Sequence, residues 1–346
     1  MTSISVTLTM ALTLAQDADL DAMAAAKDAA TYTAARDRVV AMGRDALPAL
    51  TAAGAADKWT PAGWVRALAA ESCRTRIADP DLAAAVDSPR GLDPATYREF
   101  RRPEPMVVPE LSRRRVENMP LLIERWRWTF DAFPFSAGAA GDLERTRFRE
   151  GILEVIGAAA DARARYFLAE VLAAGPMRGQ AAVSLGPCAG IEALAPLAAV
   201  LDNRAEGADV REACARALGR VADDRALDAI KSRLGAAQDE DAQVRRSLIT
   251  GLGILGTEWT WKARGRAFGP MADRIRKGCA EALVEALKRW PGESDALGMA
   301  LALTAWAPSQ EAVEAIAGDD AADAQSRSAA RAVLEPLKMA VARQKK

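Results

Sequence analysis

Two short segments of this chain combine tryptophan with arginine at close spacing. They contain Arg125, Trp126, Arg127 and Trp128 in the first case, and Trp259, Trp261, Arg264 and Arg266 in the second. An indole ring offers a large rigid contact area and a guanidinium group makes forked hydrogen bonds, so the combination is typical of binding hot spots. The alternative is that these rings fill gaps beneath long loops while the arginines stack on them internally. The residue types therefore indicate a recognition surface, with internal packing as the competing interpretation.

The composition argues against most catalytic chemistry. The chain has 346 residues and no histidine, which excludes Ser-His-Asp catalysis and histidine metal sites. No other catalytic or metal-binding motif is recognisable, so we expect no enzymatic activity, no cofactor and no metal centre. Lys and Arg number 46 against 47 Asp and Glu, and this near-neutral balance argues against a dedicated nucleic-acid-binding protein.

The four cysteines are far apart in the sequence and form no C-x-x-C pair. They are Cys73, Cys188, Cys214 and Cys279. This spacing argues against a thiol metal site or a redox motif, and it favours small buried side chains. A disulfide between Cys188 and Cys214 remains open if the protein is exported.

An internal repeat is the clearest signal of architecture. Val210, Arg211, Leu218 and Gly219 recur 34 residues later as Val244, Arg245, Leu252 and Gly253. Earlier copies are Arg178, Leu185 and Gly186, and more weakly Arg149, Ile156 and Gly157. A period of roughly 30 to 40 residues is typical of stacked helical pairs. We expect the recurring arginines to share hydrogen bonds with acidic neighbours in adjacent units.

The clearest unit is predicted to be a helical hairpin. Asp209 would cap its first helix, with Glu212 completing a capping box, and Gly219 would end that helix in a left-handed conformation. Apolar residues follow helical spacing in both halves: Val210, Ala213, Cys214, Ala217 and Leu218, then Ala226, Leu227, Ile230 and Leu234. Neither helix buries much alone, so neighbouring pairs must stack.

The D-V-R-x-x-x-x-x-A-L-G pattern over residues 209–219 resembles the HEAT-repeat family, in the bacterial form first associated with bilin lyases. The resemblance covers about 145 to 256, with Gln243 in place of the capping Asp in the following unit. It implies an all-α fold, an α-solenoid of HEAT/armadillo type in which helical hairpins stack into a superhelix. It also implies binding along a curved face and no particular reaction.

The first residues resemble a secretory signal. An uncharged apolar run from Ile4 to Ala15 precedes the acidic segment that starts at Gln16. The run is too short to span a bilayer, and Thr13 and Ala15 suit the positions that a signal peptidase reads. We therefore predict a signal peptide over residues 1–15 and export to the periplasm or the exterior. Because no Lys or Arg precedes the run, a buried first helix in a cytoplasmic protein is the alternative.

The remaining chain divides by composition. Residues 16–86 are predicted to be helical with degenerate repeats, and 87–142 to be an irregular insertion rich in proline, arginine and aromatic residues. Residues 143–256 hold the HEAT-like repeats, and 257–346 are predicted to contain C-terminal helical repeats. No further segment of the mature chain is predicted to span a membrane.

These features favour a non-enzymatic scaffold, exported from the cell, that presents a surface to an unidentified partner protein. The alternative is an intracellular nucleic-acid-binding protein that uses the Arg/Trp segments on phosphates and bases. A lyase or carrier for a tetrapyrrole follows from the family name alone.

Overall fold

A computed structural model describes residues 2–87, 115–131, 135, 137–236, 242–263 and 269–344. The regular elements in these ranges are helices, with no strand among them, which confirms the predicted all-α class. The chain forms two compact units, Met1–Phe167 and Leu168–Lys346.

The first unit is built around one buried helix. Its helices are, in chain order, α1 (Thr2–Ala25), α2 (Ala29–Ala41), α3 (Leu47–Ala53), α4 (Trp64–Ala78), α5 (Pro80–Asp87), α6 (Arg115–Glu124) and α7 (Gly138–Ala159). Helix α4 packs against α1, α2, α3, α5 and α6. Small residues such as Ala69, Ala70 and Cys73 are buried on several of its sides, as expected for a helix with neighbours all round.

Helix α8 (Arg165–Ala174) begins in the first unit and ends in the second. The second unit continues beyond α8. Its helices are α9 (Arg178–Ala189), α10 (Leu194–Asp202), α11 (Ala208–Leu218), α12 (Asp224–Ala236), α13 (Ala242–Leu255), α14 (Glu258–Ala263), α15 (Pro270–Arg289), α16 (Ser294–Thr304), α17 (Ala307–Gly318) and α18 (Ala324–Gln344). Helices α9, α11, α13, α16 and α18 pack side by side in one row. Helices α10, α12, α15 and α17 form a second row against it. Each row therefore covers the apolar face of the other.

The predicted hairpin is present as α11 and α12. Its apolar positions from Ala213 to Leu218 and from Ala226 to Leu234 are buried, which confirms the periodicity argument for them, whereas Val210 is only half-buried. The capping prediction is wrong, because α11 begins at Ala208 after Gly207 and has no side-chain cap. Asp209 lies instead inside the first turn, where its charge favours the positive helix end.

The role predicted for Gly219 is also corrected. Its φ is −61°, so it is right-handed rather than left-handed. A Cβ at this position would collide with the carbonyl oxygen of Gly251 on α13. At Gly186, the equivalent position on α9, a Cβ would lie 2.7 Å from the carbonyl oxygen of Ala217. The repeat glycines therefore allow adjacent helices of the first row to approach closely.

The recurring arginines connect successive helices. Arg178 Nε donates to the carbonyl oxygen of Leu172 at 2.7 Å, and its guanidinium group pairs with Glu206 at 2.5 Å. Arg211 Nε donates in the same way to the carbonyl oxygen of Leu201 at 3.0 Å. These carbonyls lie near the ends of α8 and α10, where helices lack internal partners. The predicted acidic neighbours are therefore found at Arg178 and also at Arg245, which pairs with Glu293 at 2.9 Å. Carbonyl capping is an additional role.

One stretch of the described chain, Arg178–Asp202, is long and apolar enough by length and composition to cross a membrane. It is not a straight helix, because Gly190 has a φ of +57° and a 3₁₀ turn over Gly190–Ala193 separates α9 from α10. Both helices pack inside the second unit, and α9 lies beside α11. The stretch therefore consists of two helices packed within the second unit.

Candidate functional site

The tryptophans of the second Arg/Trp segment lie on the short helix α14. Trp261 is 2% exposed and its Nε1 donates to the carbonyl oxygen of Leu255 at 3.1 Å. Trp259 is 62% exposed. Residues two apart on a helix point about 200° apart, so one ring must face outward when the other is buried.

Threonine side chains fix the start of α14. Thr257 Oγ1 accepts a hydrogen bond from the Thr260 backbone N–H at 3.3 Å. Thr260 Oγ1 donates to the carbonyl oxygen of Ile254 at 2.7 Å, at the end of α13. These bonds set the rotation of α14 and thereby hold Trp259 outward.

Two arginines accompany the exposed ring. The Arg220 guanidinium carbon lies 5.9 Å from the centre of the Trp259 ring, within range of a cation–π contact. Arg216, one turn earlier, contacts Glu212 at 3.4 Å and Ser247 at 3.2 Å. We call these three side chains, Arg216, Arg220 and Trp259, the Trp259 surface.

Arg220 carries a positive charge that no described acidic group contacts within ion-pair distance. Partial burial lowers the pKa of Arg220, and the neighbouring charge of Arg216 lowers it further. A guanidinium group stays protonated despite such shifts, so the Trp259 surface holds an excess of positive charge. Arg264 and Arg266, which the sequence places next to it, lie outside the described residues.

The first Arg/Trp segment is built into the first unit. Residues Arg125–Thr129 form a π-helical turn at the end of α6. Trp128 is 8% exposed and stacks on Tyr32, with ring centres 3.9 Å apart. Trp126 is half-buried and meets Phe167 edge-on at 5.8 Å. These contacts correspond to internal packing, the alternative considered for this segment.

The arginines of the same turn also lie in this interior. The Arg127 guanidinium carbon lies 4.9 Å from the ring centres of both Trp64 and Trp128. Arg125 is buried, and burial lowers its pKa. The eight residues predicted from sequence are thus divided, with Arg125–Trp128 in one unit and Trp259 and Trp261 in the other.

A buried charge cluster that no sequence pattern predicts lies beside this turn. The Glu124 side chain is 0% exposed, and its Oε1 accepts from Arg36 at 2.8 Å and from Arg76 at 2.9 Å. Arg76 also pairs with Asp87 at 2.5 Å. Burying charges is costly unless they are paired, so removing one partner is expected to destabilise the unit strongly. The partners lie on α2, α4, α5 and α6, and no local spacing signals their proximity.

No group of three or more Cys, Asp and Glu side chains within the described ranges is arranged to hold a metal ion. The four cysteines are buried thiols, as predicted for small core residues. The Trp259 surface combines an exposed ring with unbalanced positive charge, residue types that are typical of binding hot spots.

No family model and no curated protein matches this chain. It is similar to the crystal structure of an engineered protein from a structural genomics consortium, with 16% identity over 92% of this chain and 99% of that chain. The TM-score of 0.31 is too low to carry an argument about the fold. The resemblance to HEAT repeats therefore stays a prediction.

Proposed function

We propose that this chain is a HEAT-like α-solenoid protein that binds a partner protein and has no catalytic activity of its own. The support for the repeat architecture is the two-row packing of the second unit, with glycines and arginines that recur at a spacing of 33 to 34 residues in equivalent contacts. Arrays of this kind present long side-chain surfaces to other macromolecules.

The observation that carries the proposed binding is the exposed Trp259 ring beside the uncompensated Arg220. An acidic segment of a partner would place a carboxylate on Arg220 and Arg216 and an apolar side chain on the indole. Truncation of a tryptophan at the centre of such an interface typically costs about 2 kcal/mol or more of binding free energy. The proposed partner is therefore a protein with an acidic, partly apolar binding segment.

The experiment is site-specific photo-crosslinking in the native cells. A benzophenone side chain is placed at Lys262, which is exposed on α14 one turn after Trp259, so that the tryptophan is retained. For comparison it is placed at Met339, which is also exposed but lies on α18. We expect a discrete crosslinked partner from position 262 and none of the same mass from position 339. The second variant, Arg220→Glu combined with the probe at 262, should lose that product while the melting temperature stays within a few degrees.

Absence of a position-specific product, or a product that persists after Arg220→Glu, would contradict the proposal. High salt provides a further criterion, because an interface with exposed charges weakens as ionic strength rises.

The Trp259 surface has the residue types that would also suit a single-stranded nucleic acid, with a base stacked on the indole and phosphates on the arginines. Titration of a fluorescent oligonucleotide separates the two cases. Salt-dependent binding that is lost in both Trp259→Ala and Arg220→Glu would replace the protein partner by a nucleic acid.

A further inference from the structure

A groove opens between α12 and α15 in the second row of the second unit. Its cavity volume is ≈ 470 Å³, which is in the range of sites for small organic ligands. The lining includes Lys231 and Leu234 from α12, Ala282 and Ala286 from α15, and Arg289 and Trp290 at the end of α15. None of these residues belongs to the Trp259 surface.

The inner part of the groove is apolar. Leu234 and Ala286 are buried, and Ala282 is half-buried. Alanines at two successive turns of α15 leave the space that larger side chains would fill. The groove therefore offers a narrow apolar slot to a flat or slender ligand body.

Trp290 stands at the end of this slot between two cations. The guanidinium carbons of Arg289 and Arg245 lie 4.7 Å and 5.7 Å from the centre of its ring. Arg289 Nη1 also donates to the carbonyl oxygen of Gly235 at 2.8 Å, so its guanidinium group is held at the mouth of the groove. These contacts fix the orientation of the indole at the end of the slot.

The charges that line the groove are unbalanced. Lys288 is neutralised by Glu285 at 2.7 Å, and Glu281 faces Lys277 at 3.7 Å. Lys231 and Arg289 make no ion pair with a described acidic side chain, so both cations are available to bind an anion in the groove. Charge and shape together specify one class of ligand.

We propose that this groove binds a small organic acid with an apolar or aromatic body. The carboxylate contacts Lys231 and Arg289, and the body lies on Leu234, Ala282 and Ala286 beside the Trp290 ring. The positive charges of Lys231 and Arg289 favour a ligand with a carboxylate. Ala282 and Ala286 lie at the bottom of the groove and limit the thickness of the ligand's apolar part.

The test is calorimetric titration of the full chain with 1-naphthoate and with its uncharged amide, 1-naphthamide. We expect saturable one-to-one binding of the acid. The amide should bind about tenfold more weakly, because it cannot make the charge-assisted contact. Lys231→Gln should weaken binding of the acid by about the same factor and leave the affinity for the amide unchanged.

Two further variants make the result specific to the groove. Ala282→Phe fills the slot and should abolish binding of both probes. Arg274→Gln removes an exposed charge from the same helix, and because neither Arg274 nor its partner Asp224 lines the groove, the affinity should change by less than about twofold. Lys231 is exposed and makes no described hydrogen bond, so its substitution leaves the fold intact. Absence of saturable acid binding, equal affinity for acid and amide, or insensitivity to Lys231→Gln would overturn the proposal.

Discussion

At the scale of single residues, Trp259 and Trp261 occupy opposite environments on one helical turn. Trp261→Ala is expected to lower the free energy of unfolding by about 3–5 kcal/mol, because it empties a buried site and frees the Leu255 carbonyl. Trp259→Ala should cost less than about 0.5 kcal/mol, as an exposed substitution. Denaturant unfolding of both variants measures the difference.

Equal losses at the two positions would show that α14 is rotated differently from the orientation described above. The sequence could identify both tryptophans as recognition candidates but could not separate them. Which ring is buried depends on the rotation of α14, and that rotation is set by hydrogen bonds from Thr257 and Thr260 to neighbouring groups.

The thiols allow a second prediction at this scale. Burial raises the pKa of Cys214 and of Cys279 to about 12, and burial also raises the pKa of Cys73. The reactive thiolate is therefore scarce near neutral pH. A thiol reagent at about pH 8 should not modify the native protein, whereas all four cysteines should react in denaturant without reductant.

A count of two reactive thiols in denaturant would instead indicate a disulfide such as Cys188–Cys214. Rapid reaction in the native state would show that the cysteines are accessible, contrary to their burial.

At the scale of helices, the contact of Gly219 with Gly251 sets the separation of α11 and α13. Gly219→Ala should destabilise the protein by about 1–3 kcal/mol, because the new methyl group collides with a backbone carbonyl that cannot move freely. Gly318→Ala is the matched control, since a Cβ there meets nothing within 4 Å. That variant should be neutral or more stable by up to about 1 kcal/mol.

Thermal unfolding of the two glycine variants provides the comparison. If Gly219→Ala is as stable as the control, the close approach of the two helices is not required by the fold.

Glu293 joins α13 to the segment that leads into α16. Burial alone would raise the pKa of Glu293, but hydrogen bonds from Arg246 at 2.5 Å and Arg245 at 2.9 Å hold it below its ordinary value of 4.5. A lowered pKa in the folded state means that the stabilisation is present above pH 4.5 and is lost as the pH falls through the folded-state pKa.

Glu293→Gln should therefore lower the free energy of unfolding near neutral pH by about 1–3 kcal/mol. It should also make the free energy of unfolding fall less steeply as the pH becomes acidic. Denaturant midpoints measured from neutral to acidic pH give both quantities. If the variant loses as much stability at acidic pH as the unmodified protein, Glu293 is not the cause of that loss.

The helical hairpin was predictable because the spacing of apolar residues can be read within each helix separately. Each helix must also bury its apolar face against a neighbour. The roles of Gly219 and Asp209 could not be predicted in this way. A glycine near a helix end is compatible with a left-handed cap and with close contact to a neighbouring helix. An aspartate near a helix start is compatible with a cap and with a position inside the first turn. The buried cluster around Glu124 was equally hidden, because Arg36 and Arg76 are 88 and 48 residues away.

At the scale of the whole molecule, the segment predicted as an insertion over residues 87–142 contributes to a core. Its described part includes the buried residues Leu121, Leu122 and Ile123 of α6 and the Trp128 ring. The proline- and arginine-rich composition that marked it as irregular applies chiefly to residues outside the described ranges.

Export stays a prediction. Cleavage before Gln16 would leave Gln16, Leu20 and Met23 in place, and these three residues of α1 are buried. Arg66 pairs with Asp17 at 2.5 Å and with Asp21 at 2.6 Å, and these contacts also lie after the cut. We expect the native protein outside the cytoplasm to have the mass of a chain that begins at Gln16.

Intact-mass measurement on separated cell fractions checks this expectation. A cytoplasmic species that retains residues 1–15 would instead support the buried first helix considered as the alternative.

The π-helical turn over Arg125–Thr129 sets the direction in which Trp128 points. A π-helical turn closes i→i+5 hydrogen bonds instead of i→i+4 bonds, so the chain rotates by less than 100° per residue. If these five residues adopted a regular α-helix, Trp128 would rotate away from Tyr32 although no residue had been changed. The aromatic stack therefore depends on the type of helical turn as well as on the residues that form it.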